Sequence, residues 1–400
     1  MKTYKVGVVG LRHGLSHAYI VNNCLKQTEL VMLCDLFDGR LGEAAGQTGC
    51  KNTTAHYADM LANKDLDIIC IATSDLNHGK MALAALEAGK HVMVETPLDS
   101  CDIDILWKVV RLTERRGLKL QLDIPDMWLP ESVTIKQLID SGEIGDPYYV
   151  ITEYLQDIRQ QGGGGLLDKN SFRMGRGESA QQCVTGGAGT YAVATAMWYC
   201  GEPFTEAFCY ANRKNIPMRN EDDHEVVLYR THSGTIARVQ CSKAARRPYK
   251  EIIKSVWGTK GTAECTGYLP PPPGDGTSVY ACLTDAGSGA EAYKGEYEMK
   301  PVPMAEVALP EGVDKEMAMK SGHDGVEIHS WLDLLNSVEQ DCLSTINVYE
   351  AFRISASQWA ARRSKQENHP VRIPQIVERN EEIKALRPLP IEDISIDALW

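Results

Sequence analysis

The chain is 400 residues long and carries 42 basic against 54 acidic residues, which gives a formal net charge of −12. This acidic balance argues against a nucleic-acid or membrane-surface partner, because both of those surfaces are negatively charged. Hydrophobic residues make up 43% of the sequence, so we expect a packed, soluble protein with two domains of ordinary size. No apolar run approaches the roughly 20 residues that span a bilayer, and the amino-terminal MKTYKVGVVG shows no signal peptide.

The 12 cysteines are dispersed through apolar patterns, and no C-x-x-C pair occurs. Such residues are more often buried, reduced, small hydrophobic side chains than members of a disulfide framework. We therefore expect a cytoplasmic protein. The histidines show no metal-ligand spacing, so we expect no metal site.

The first strand–turn–helix–strand unit has the features of a dinucleotide site. Tyr4–Val9 predicts a buried strand, Gly10 and Gly14 lie in the turn before a helix, and Asp35 follows the strand Glu29–Leu33. Such glycines let backbone N–H groups approach a pyrophosphate, and an acid after the second strand binds the adenosine ribose. Because no basic residue directly follows Asp35, the pattern favours NAD over NADP.

The glycine fingerprint of this unit is incomplete. G-x-G-x-x-G would place glycines at positions 12 and 15, where Arg12 and Leu15 stand. Taken alone the turn is a weak signal, and a flavodoxin-like or SAM-binding turn stays an alternative.

The alternation of strands and helices continues to residue 122. It predicts strands over Asp67–Ala72, His91–Val94 and Leu118–Leu122, with helices over Met81–Ala88 and Ile103–Arg116 between them. This pattern predicts a doubly wound parallel sheet.

The tripeptide Glu95-Thr96-Pro97 directly follows one of these strands. Ligands of open α/β sheets bind beyond the carboxyl ends of the strands, so the tripeptide is placed for chemistry. The alternative is a plain turn, with Thr96 as the cap of a helix and Pro97 at its first position.

The chain resembles the Gfo/Idh/MocA oxidoreductase family, which includes glucose–fructose oxidoreductase and inositol dehydrogenase. The resemblance rests on IATSDLNHGKMALAALEAGKHVMVETPLDS, IKQLIDSGEIGDPYYV, WYCGEPF, IIKSVWGTKGTAE and HPVRIP. It implies an α/β Rossmann domain over residues 1–124 and an α+β domain with an open, mostly antiparallel sheet over 125–370. Residues 371–400 then form a carboxyl-terminal tail.

The resemblance also implies which residues bind NAD. They are Gly10, Gly14, Asp35, Thr73, His78, Glu95 and Pro97. Two of them have simpler alternatives, because His78 would also serve as a helix cap and Thr73 would also satisfy a strand-end carbonyl.

Three departures from the family pattern concern the catalytic residues. Thr96 replaces the E-K-P lysine, and a hydroxyl donates one hydrogen bond but carries no charge. Tyr191 stands at the position of the usual histidine base, as in the glucose–fructose oxidoreductase branch, and Gly187 at that of its aspartate partner. Asp126 and Met127 stand where an arginine often follows the sixth strand.

Tyr191 is therefore predicted to be the acid/base, and the alternative is an aromatic side chain that packs with Met197 and Trp198. A phenol needs a lowered pKa to act near neutrality, usually through a nearby cation. The glycine- and glutamine-rich residues 157–186 contain Lys169 and Arg173, so we expect a substrate lid that supplies this cation. The alternative is a solvated oligomer arm.

His323 lies in Ser321–Gly325, which resembles an s-G-H-G-G turn of sugar-acting family members. We expect it to orient the substrate, with a helix cap as the alternative. The expected activity is NAD-dependent oxidation of a hydroxyl on a sugar, glycoside or cyclitol, with Tyr191 as proton acceptor. An NAD-using glycosidase or lyase and a non-catalytic sugar or nucleotide sensor stay alternatives. The resemblance also implies a homo-oligomer, a dimer or tetramer formed through the second sheet.

Overall fold

The computed structural model describes residues 2–157, 184–187, 189–214, 222–246, 252–265, 278–283 and 298–376. They form two compact units. The first comprises the described residues up to Pro125, Ala308–Ala356 and Ile376, and the second comprises the rest. The sequence-based prediction places 308–356 in the second domain, whereas this segment belongs to the first unit.

The described residues contain strands and helices that are numbered in chain order. The strands are β1 (Tyr4–Val9), β2 (Thr28–Cys34), β3 (Thr53–Thr54), β4 (Ile68–Ile71), β5 (His91–Val94), β6 (Leu120–Leu122), β7 (Pro147–Leu155), β8 (Phe204–Asn212), β9 (His224–Thr231), β10 (Ile236–Ser242), β11 (Ile252–Gly258), β12 (Gly261–Cys265), β13 (Val279–Leu283), β14 (Lys300–Val302) and β15 (Val371–Arg372). The α-helices are α1 (Gly14–Tyr19), α2 (Asp38–Thr48), α3 (Tyr57–Ala62), α4 (His78–Glu87), α5 (Ile103–Arg116), α6 (Pro130–Asp140), α7 (Gly189–Cys200), α8 (Lys315–Met319), α9 (Glu327–Glu339) and α10 (Val348–Glu367). None of these helices is long and apolar enough to cross a membrane.

The first unit is built on a six-stranded parallel sheet with the order β3-β2-β1-β4-β5-β6. The central strands read as continuous apolar runs, and all four residues of β4 are buried, as expected where helices cover both faces of a parallel sheet. The order reverses between β1 and β4, which opens a crevice for a ligand beyond their carboxyl ends. The predicted doubly wound sheet is confirmed.

Two local details of this unit differ from the sequence-based expectations. No helix begins at Thr96; α5 begins at Ile103, and the side chain of Asp102 caps it by accepting hydrogen bonds from the N–H groups of Asp104 and Ile105. The plain-turn alternative, with Thr96 as a helix cap, is therefore wrong. The helix expected after the glycine turn ends at Tyr19 and continues as a π-helical segment from Ile20 to Cys24.

Residues of α9 complete the core of the first unit. Ile328, Trp331, Leu334 and Leu335 are buried in one cluster with side chains of β1, β2 and β4. Beyond the helix, Ile346 accepts a hydrogen bond from the backbone N–H of Leu122 in β6. Apolar burial therefore explains why Ala308–Ala356 belongs to this unit.

The second unit is built on a nine-stranded sheet with the order β14-β13-β12-β11-β7-β10-β9-β8-β15. Among the described residues, β7 and β10 pair in parallel and the other neighbours pair antiparallel. Helix α7 packs on one face of β7, where Thr152 Oγ1 donates to the carbonyl of Ala192 at 2.7 Å. The expected open, mostly antiparallel sheet is confirmed.

A buried ion pair joins three elements of the second unit. The ammonium of Lys254, on β11, lies 2.9 Å from Asp126 Oδ1 and 2.7 Å from Ser132 Oγ. Asp126 also accepts a hydrogen bond from Thr195 of α7 at 2.7 Å. Burial would lower the pKa of Lys254, but the charges of Asp126 and Glu131 outweigh it and raise the pKa. The ammonium therefore stays charged.

Lys254→Met is expected to destabilise the protein by about 3–5 kcal/mol, because it leaves the carboxylate of Asp126 buried without its cation. Urea unfolding measures the loss, with Lys300→Met at an exposed surface pair as the control. The control should shift stability by less than about 0.5 kcal/mol. The double variant Lys254→Met/Asp126→Asn should recover part of the loss; no recovery would contradict the charge-based explanation.

Candidate functional site

The two glycines of the first turn are required by close contacts. A Cβ at Gly10 would lie 2.4 Å from the carbonyl oxygen of Ala72, and the residue has a φ of +88°. A Cβ at Gly14 would lie 2.9 Å from Val8 Cγ1, so glycine lets α1 pack closely on β1. These are the roles of the first and third glycines of a dinucleotide turn. Arg12 and His13, which lie between them, are exposed.

The carboxylate of Asp35 lies directly beside this turn. It accepts hydrogen bonds from the N–H groups of Leu11 at 2.8 Å and Phe37 at 2.9 Å. Arg40 Nη1 lies 3.7 Å from the same carboxylate, and its guanidinium lies over the Phe37 ring. Each carboxylate oxygen has capacity for a further hydrogen bond, so the geometry fits a ribose hydroxyl. The residues present therefore fit a dinucleotide.

His78 joins two loops beyond the carboxyl ends of β4 and β5. Its Nδ1 lies 2.8 Å from the carbonyl oxygen of Pro97, and its Nε2 lies 3.2 Å from that of Thr73. Helix α4 begins at His78, but the imidazole makes no capping bond to the helix. The cap alternative is therefore wrong, and His78 holds the Thr73 and Pro97 loops together. The Thr73 hydroxyl contacts Met81 Sδ rather than a carbonyl.

Four side chains that the sequence does not bring together form a cluster at the strand ends, which we call the His17 cluster. They are His17 of α1, Glu95 after β5, Asp123 after β6 and Glu327 of α9. All four are buried, and one ligand atom of each lies within 4.8 Å of the others. His17 Nε2 lies 3.2 Å from both Glu95 Oε1 and Glu327 Oε1.

The indole of Trp331 sets the protonation of His17. Its N–H donates to His17 Nδ1 at 3.0 Å, and an indole nitrogen is only a donor. Nδ1 therefore acts as the acceptor, and the proton on Nε2 lies between the two glutamates. Burial would lower the pKa of His17, but the charge of Glu327 and the hydrogen bond with Glu95 outweigh it and raise the pKa to about 10. The carboxylates thus favour a second proton on the imidazole, whereas the indole N–H opposes it because it occupies Nδ1. Nitrogen that carries a proton does not bind a metal ion. The His17 cluster therefore has the composition of a metal site without an available imidazole ligand.

A proton on Asp123 limits the negative charge of the cluster. Asp123 is fully buried, and its Oδ2 lies 3.8 Å from His17 Nε2. Burial raises the pKa of Asp123 to about 8, and the charges of Glu327 and Glu95 act in the same direction. Burial also opposes ionisation of Glu95, but the hydrogen bond from His17 outweighs it and lowers the pKa of Glu95. Asp123 is thus the neutral carboxylic acid of the cluster at pH 7.

His323 connects the His17 cluster to the surface. Its side chain is 33% exposed, and Nδ1 lies 2.9 Å from Glu327 Oε2. Burial would lower the pKa of His323, but the hydrogen bond and charge of Glu327 raise it to about 9. Its ring thus contacts the side chain of Glu327 in the first turn of α9, and the helix cap stays an alternative to the predicted role in orienting substrate.

Tyr191 lies on the first turn of α7 and is buried against the sheet of the second unit. Its ring centroid lies 5.9 Å from that of Tyr154, at the end of β7. The Tyr154 hydroxyl accepts a hydrogen bond from Gln156 at 2.8 Å. Lys243 lies over the Tyr154 ring, 5.1 Å from its centroid. Tyr191 therefore contacts the ring of Tyr154, and Tyr154 in turn contacts an amide and an ammonium.

The predicted site residues are divided between the two units. Thr96, His323 and the seven predicted cofactor residues belong to the first unit, and Tyr191 belongs to the second. Lys169 and Arg173 lie outside the described residues. Sequence reasoning missed His17, Asp123 and Glu327; the acid directly after β6 was the available signal for Asp123.

The fold and the dinucleotide turn define an oxidoreductase with an NAD-binding Rossmann domain. Residues 4–124 match the family described as "Oxidoreductase family, NAD-binding Rossmann fold", and residues 132–264 match the "GFO/IDH/MocA C-terminal domain". The chain belongs to the Gfo/Idh/MocA oxidoreductase family.

Several known proteins are similar to this chain. The inositol 2-dehydrogenase of Salmonella typhimurium strain LT2 is 31% identical over 265 residues, which cover 66% of this chain and 74% of the relative. A levoglucosan dehydrogenase in complex with NADH and levoglucosan superposes with a TM-score of 0.75 at 17% identity, over 94% of this chain and 100% of that one. An oxidoreductase from Agrobacterium radiobacter in complex with NAD+, L-tartaric acid and magnesium has a TM-score of 0.74 at 15% identity, over 93% and 98%.

Asp123→Asn is expected to make the protein more stable near neutral pH. In the folded state the Asp123 carboxyl stays protonated up to about pH 8, whereas in the unfolded chain it ionises near pH 4. Unfolding therefore releases a proton between these values, and wild-type stability falls by about 1.4 kcal/mol per pH unit from this group. The asparagine variant lacks this slope, so its advantage should grow from pH 4 to pH 8 and then level off.

Thermal unfolding of both proteins at pH 5, 6.5 and 8 measures this difference, with Asp140→Asn at an exposed helix position as the control. A variant that is equally destabilised at every pH would show that Asp123 is not a neutral acid. A melting temperature that rises with Mg²⁺ or Mn²⁺ in wild type and not in Asp123→Asn would identify a cation site instead.

Proposed function

We propose that this protein uses NAD to oxidise a hydroxyl group of a sugar, glycoside or cyclitol. The glycine turn and Asp35 carry this proposal, because together they fit a dinucleotide at the switch point of the sheet. The inositol and levoglucosan dehydrogenases that resemble the chain support the substrate class. When bound, NAD accepts a hydride from the carbon that bears the hydroxyl.

Gly10, Gly14 and Asp35 would hold the adenosine and pyrophosphate parts of NAD. Thr73, His78, Glu95 and Pro97 would shape the loops beyond the strand ends. The carboxylate of Glu95 is directed to His17 and to the N–H of Thr96, at 3.2 Å in each case. We therefore propose a positioning role for Glu95, in which its buried charge fixes the backbone of the strand end.

The chain itself must take the proton of the reacting hydroxyl. We propose Tyr191 for this step, since a nearby cation that lowers the pKa of a phenol increases the fraction present as the basic phenolate near neutral pH. Thr96 would donate a hydrogen bond to the substrate oxygen, and His323 would orient a neighbouring hydroxyl through its exposed edge. We propose Lys169 and Arg173 as further substrate contacts.

We also propose that the second sheet forms a homo-oligomer through the face opposite α7. Strand register places the exposed side chains of Tyr210, Leu228, Ile236 and Trp257 on this face. Large apolar side chains grouped on one sheet face are typical of protein interfaces. The described cysteines are all free, which favours a reducing compartment. We therefore propose that the protein is cytoplasmic, and cell fractionation tests this location.

Tyr191→Phe is expected to lower kcat by about 10²- to 10⁴-fold, because the proton acceptor is lost. Its affinity for NAD should stay unchanged. NADH formation with a panel of polyols and glycosides measures turnover, and tryptophan fluorescence measures NAD binding. Tyr199→Phe, on the same helix, is the matched control, since its hydroxyl bonds only the carbonyl of Ser132 among the described residues.

The same panel separates the proposed function from its alternatives. Release of an aglycone without net NADH would identify bond cleavage bracketed by oxidation and reduction. Tight NAD binding with no turnover, unchanged by Tyr191→Phe, would identify a sensor.

The double variant Leu228→Asp/Ile236→Asp is expected to lower the particle mass. Each protomer would bury two carboxylates in the interface, and this opposes association. Light scattering after size-exclusion chromatography measures the mass. Met319→Asp introduces the same charge at an equally exposed apolar position of the first unit and serves as the control. An unchanged mass of the double variant would exclude this face as the interface.

A further inference from the structure

Lys243 is a buried lysine with few described partners. It follows β10, and the residue is only 5% exposed. The only hydrogen bond of its ammonium among the described residues runs to Gln156 Oε1, at 3.4 Å. Its other described contact is the ring of Tyr154, with 5.1 Å between Nζ and the ring centroid.

Among the described residues, the buried Lys90 and Lys254 and the partly buried Lys365 are satisfied by strong acceptors. Lys254 pairs with Asp126 at 2.9 Å, and Lys365 pairs with Asp222 at 2.7 Å and Glu225 at 2.5 Å. Lys90 donates to two backbone carbonyls at 2.8 and 2.7 Å. Lys243 differs from these lysines, because its contacts within the described residues are one long bond to an amide oxygen and the face of an aromatic ring.

Strand register places the Lys243 contacts on the same sheet face as Tyr191. Thr152 and Tyr154 point towards α7, as the Thr152–Ala192 hydrogen bond and the Tyr154–Tyr191 ring contact show. Gln156 follows two residues later and bonds the Tyr154 hydroxyl. The ammonium, the amide and the two phenols therefore form one group at the amino-terminal end of α7.

Within this group the hydrogen bonds run in one direction. Lys243 donates to the Gln156 carbonyl oxygen, and the Gln156 amide donates to Tyr154 Oη. The Tyr154 hydroxyl keeps its own proton to donate, and Tyr154 contacts Tyr191 through the two rings, whose centroids lie 5.9 Å apart. A positive charge at the start of such a series polarises each bond and strengthens the last donor.

We propose that Lys243 is the positioning residue that supplies the positive charge for Tyr191, acting through Gln156 and Tyr154. Its charge stabilises the phenolate over the phenol, which is the effect that a neighbouring cation has on any acidic group. The second unit thereby carries a cation for its own tyrosine, in a chain that has threonine at position 96. This inference rests on the proposed function of Tyr191 as the proton acceptor.

Other ionisable groups surround Lys243 and belong to the same electrostatic environment. Asp223, on the neighbouring strand segment, accepts the backbone N–H of Lys243 with its carbonyl oxygen. Asp157 and Arg246 lie beyond it, 4.0 Å apart. Tyr154 and Tyr191 face it from β7 and α7. Since these groups are unchanged in a Lys243 variant, the variant isolates the effect of the ammonium.

The test is the pH profile of kcat/KM for wild type, Lys243→Met and Lys243→Arg. In wild type, kcat/KM should rise with pH as the Tyr191 phenol ionises. Lys243→Met should move the midpoint of this rise upwards by about 1 pH unit, since an opposite charge nearby shifts a pKa by about 1–3 units. Activity at pH 7 then falls about tenfold and recovers at high pH, whereas Lys243→Arg keeps the wild-type profile. Lys300→Met, at an exposed site, is the control and should also keep it. A Lys243→Met profile that is lowered equally at every pH, or unchanged, would overturn the proposal.

A second measurement needs no turnover. The phenol titration of wild type minus that of Tyr191→Phe, followed by absorbance without NAD, reports Tyr191 alone. Its midpoint should rise in the Lys243→Met background and, by a smaller amount, in Gln156→Leu. An unshifted midpoint overturns the proposal whether or not Tyr191 is catalytic, whereas a shifted midpoint in a protein without turnover supports the Lys243 effect and rejects only the proposed function. Methionine matches the lysine stem in volume, so Lys243→Met is expected to fold.

Discussion

The hydrogen bond from Trp331 to His17 is the contact on which the strand-end region depends. It commits Nδ1 as an acceptor, so His17 is a fixed donor to Glu95 and Glu327. Three carboxyl groups within a few ångströms cannot all be ionised in a buried site. Burial and the charges of Glu327 and Glu95 therefore leave the proton on Asp123. The buried carboxyl group of Asp123 thus lowers the folding stability near neutral pH, and natural proteins commonly have such a loss of stability at functional sites.

The same contact explains why the chain returns to its first unit after the second sheet. Trp331 and Glu327 lie on α9, more than 300 residues from His17, and they complete both the apolar core and the His17 cluster. The parallel sheet alone would leave Glu95 and Asp123 as neighbouring buried acids at the ends of β5 and β6. Helix α9 shields them from solvent and supplies the donor that fixes their partner. The strand ends are therefore shaped by a segment that the alternating pattern does not contain.

Features that depend on neighbouring residues could be predicted from the sequence, whereas contacts between side chains far apart in the chain could not. The strands, the turn glycines and Asp35 follow from patterns within about 35 residues, and the structure contains them. Thr96 and His78 were placed correctly at strand ends, but their helix-cap alternatives depended on side-chain contacts that a pattern does not specify. His17 reads as one residue of an amphipathic helix, and Lys243 as the residue after a strand. Their partners come from distant parts of the chain, so no spacing rule identifies them.

The distribution of charge gives a reason for the unusual residues of this family member. A lysine at position 96 would add a positive charge next to Glu95 and favour ionisation of the neighbouring carboxyl groups. With threonine there, that charge is absent, and a proton on Asp123 limits the negative charge of the His17 cluster instead. Among the described buried lysines, Lys243 of the second unit is the one whose ammonium has neither a carboxylate nor a backbone carbonyl at short distance. Its charge is therefore not fixed by an ion pair and acts on the Tyr154 ring that it contacts.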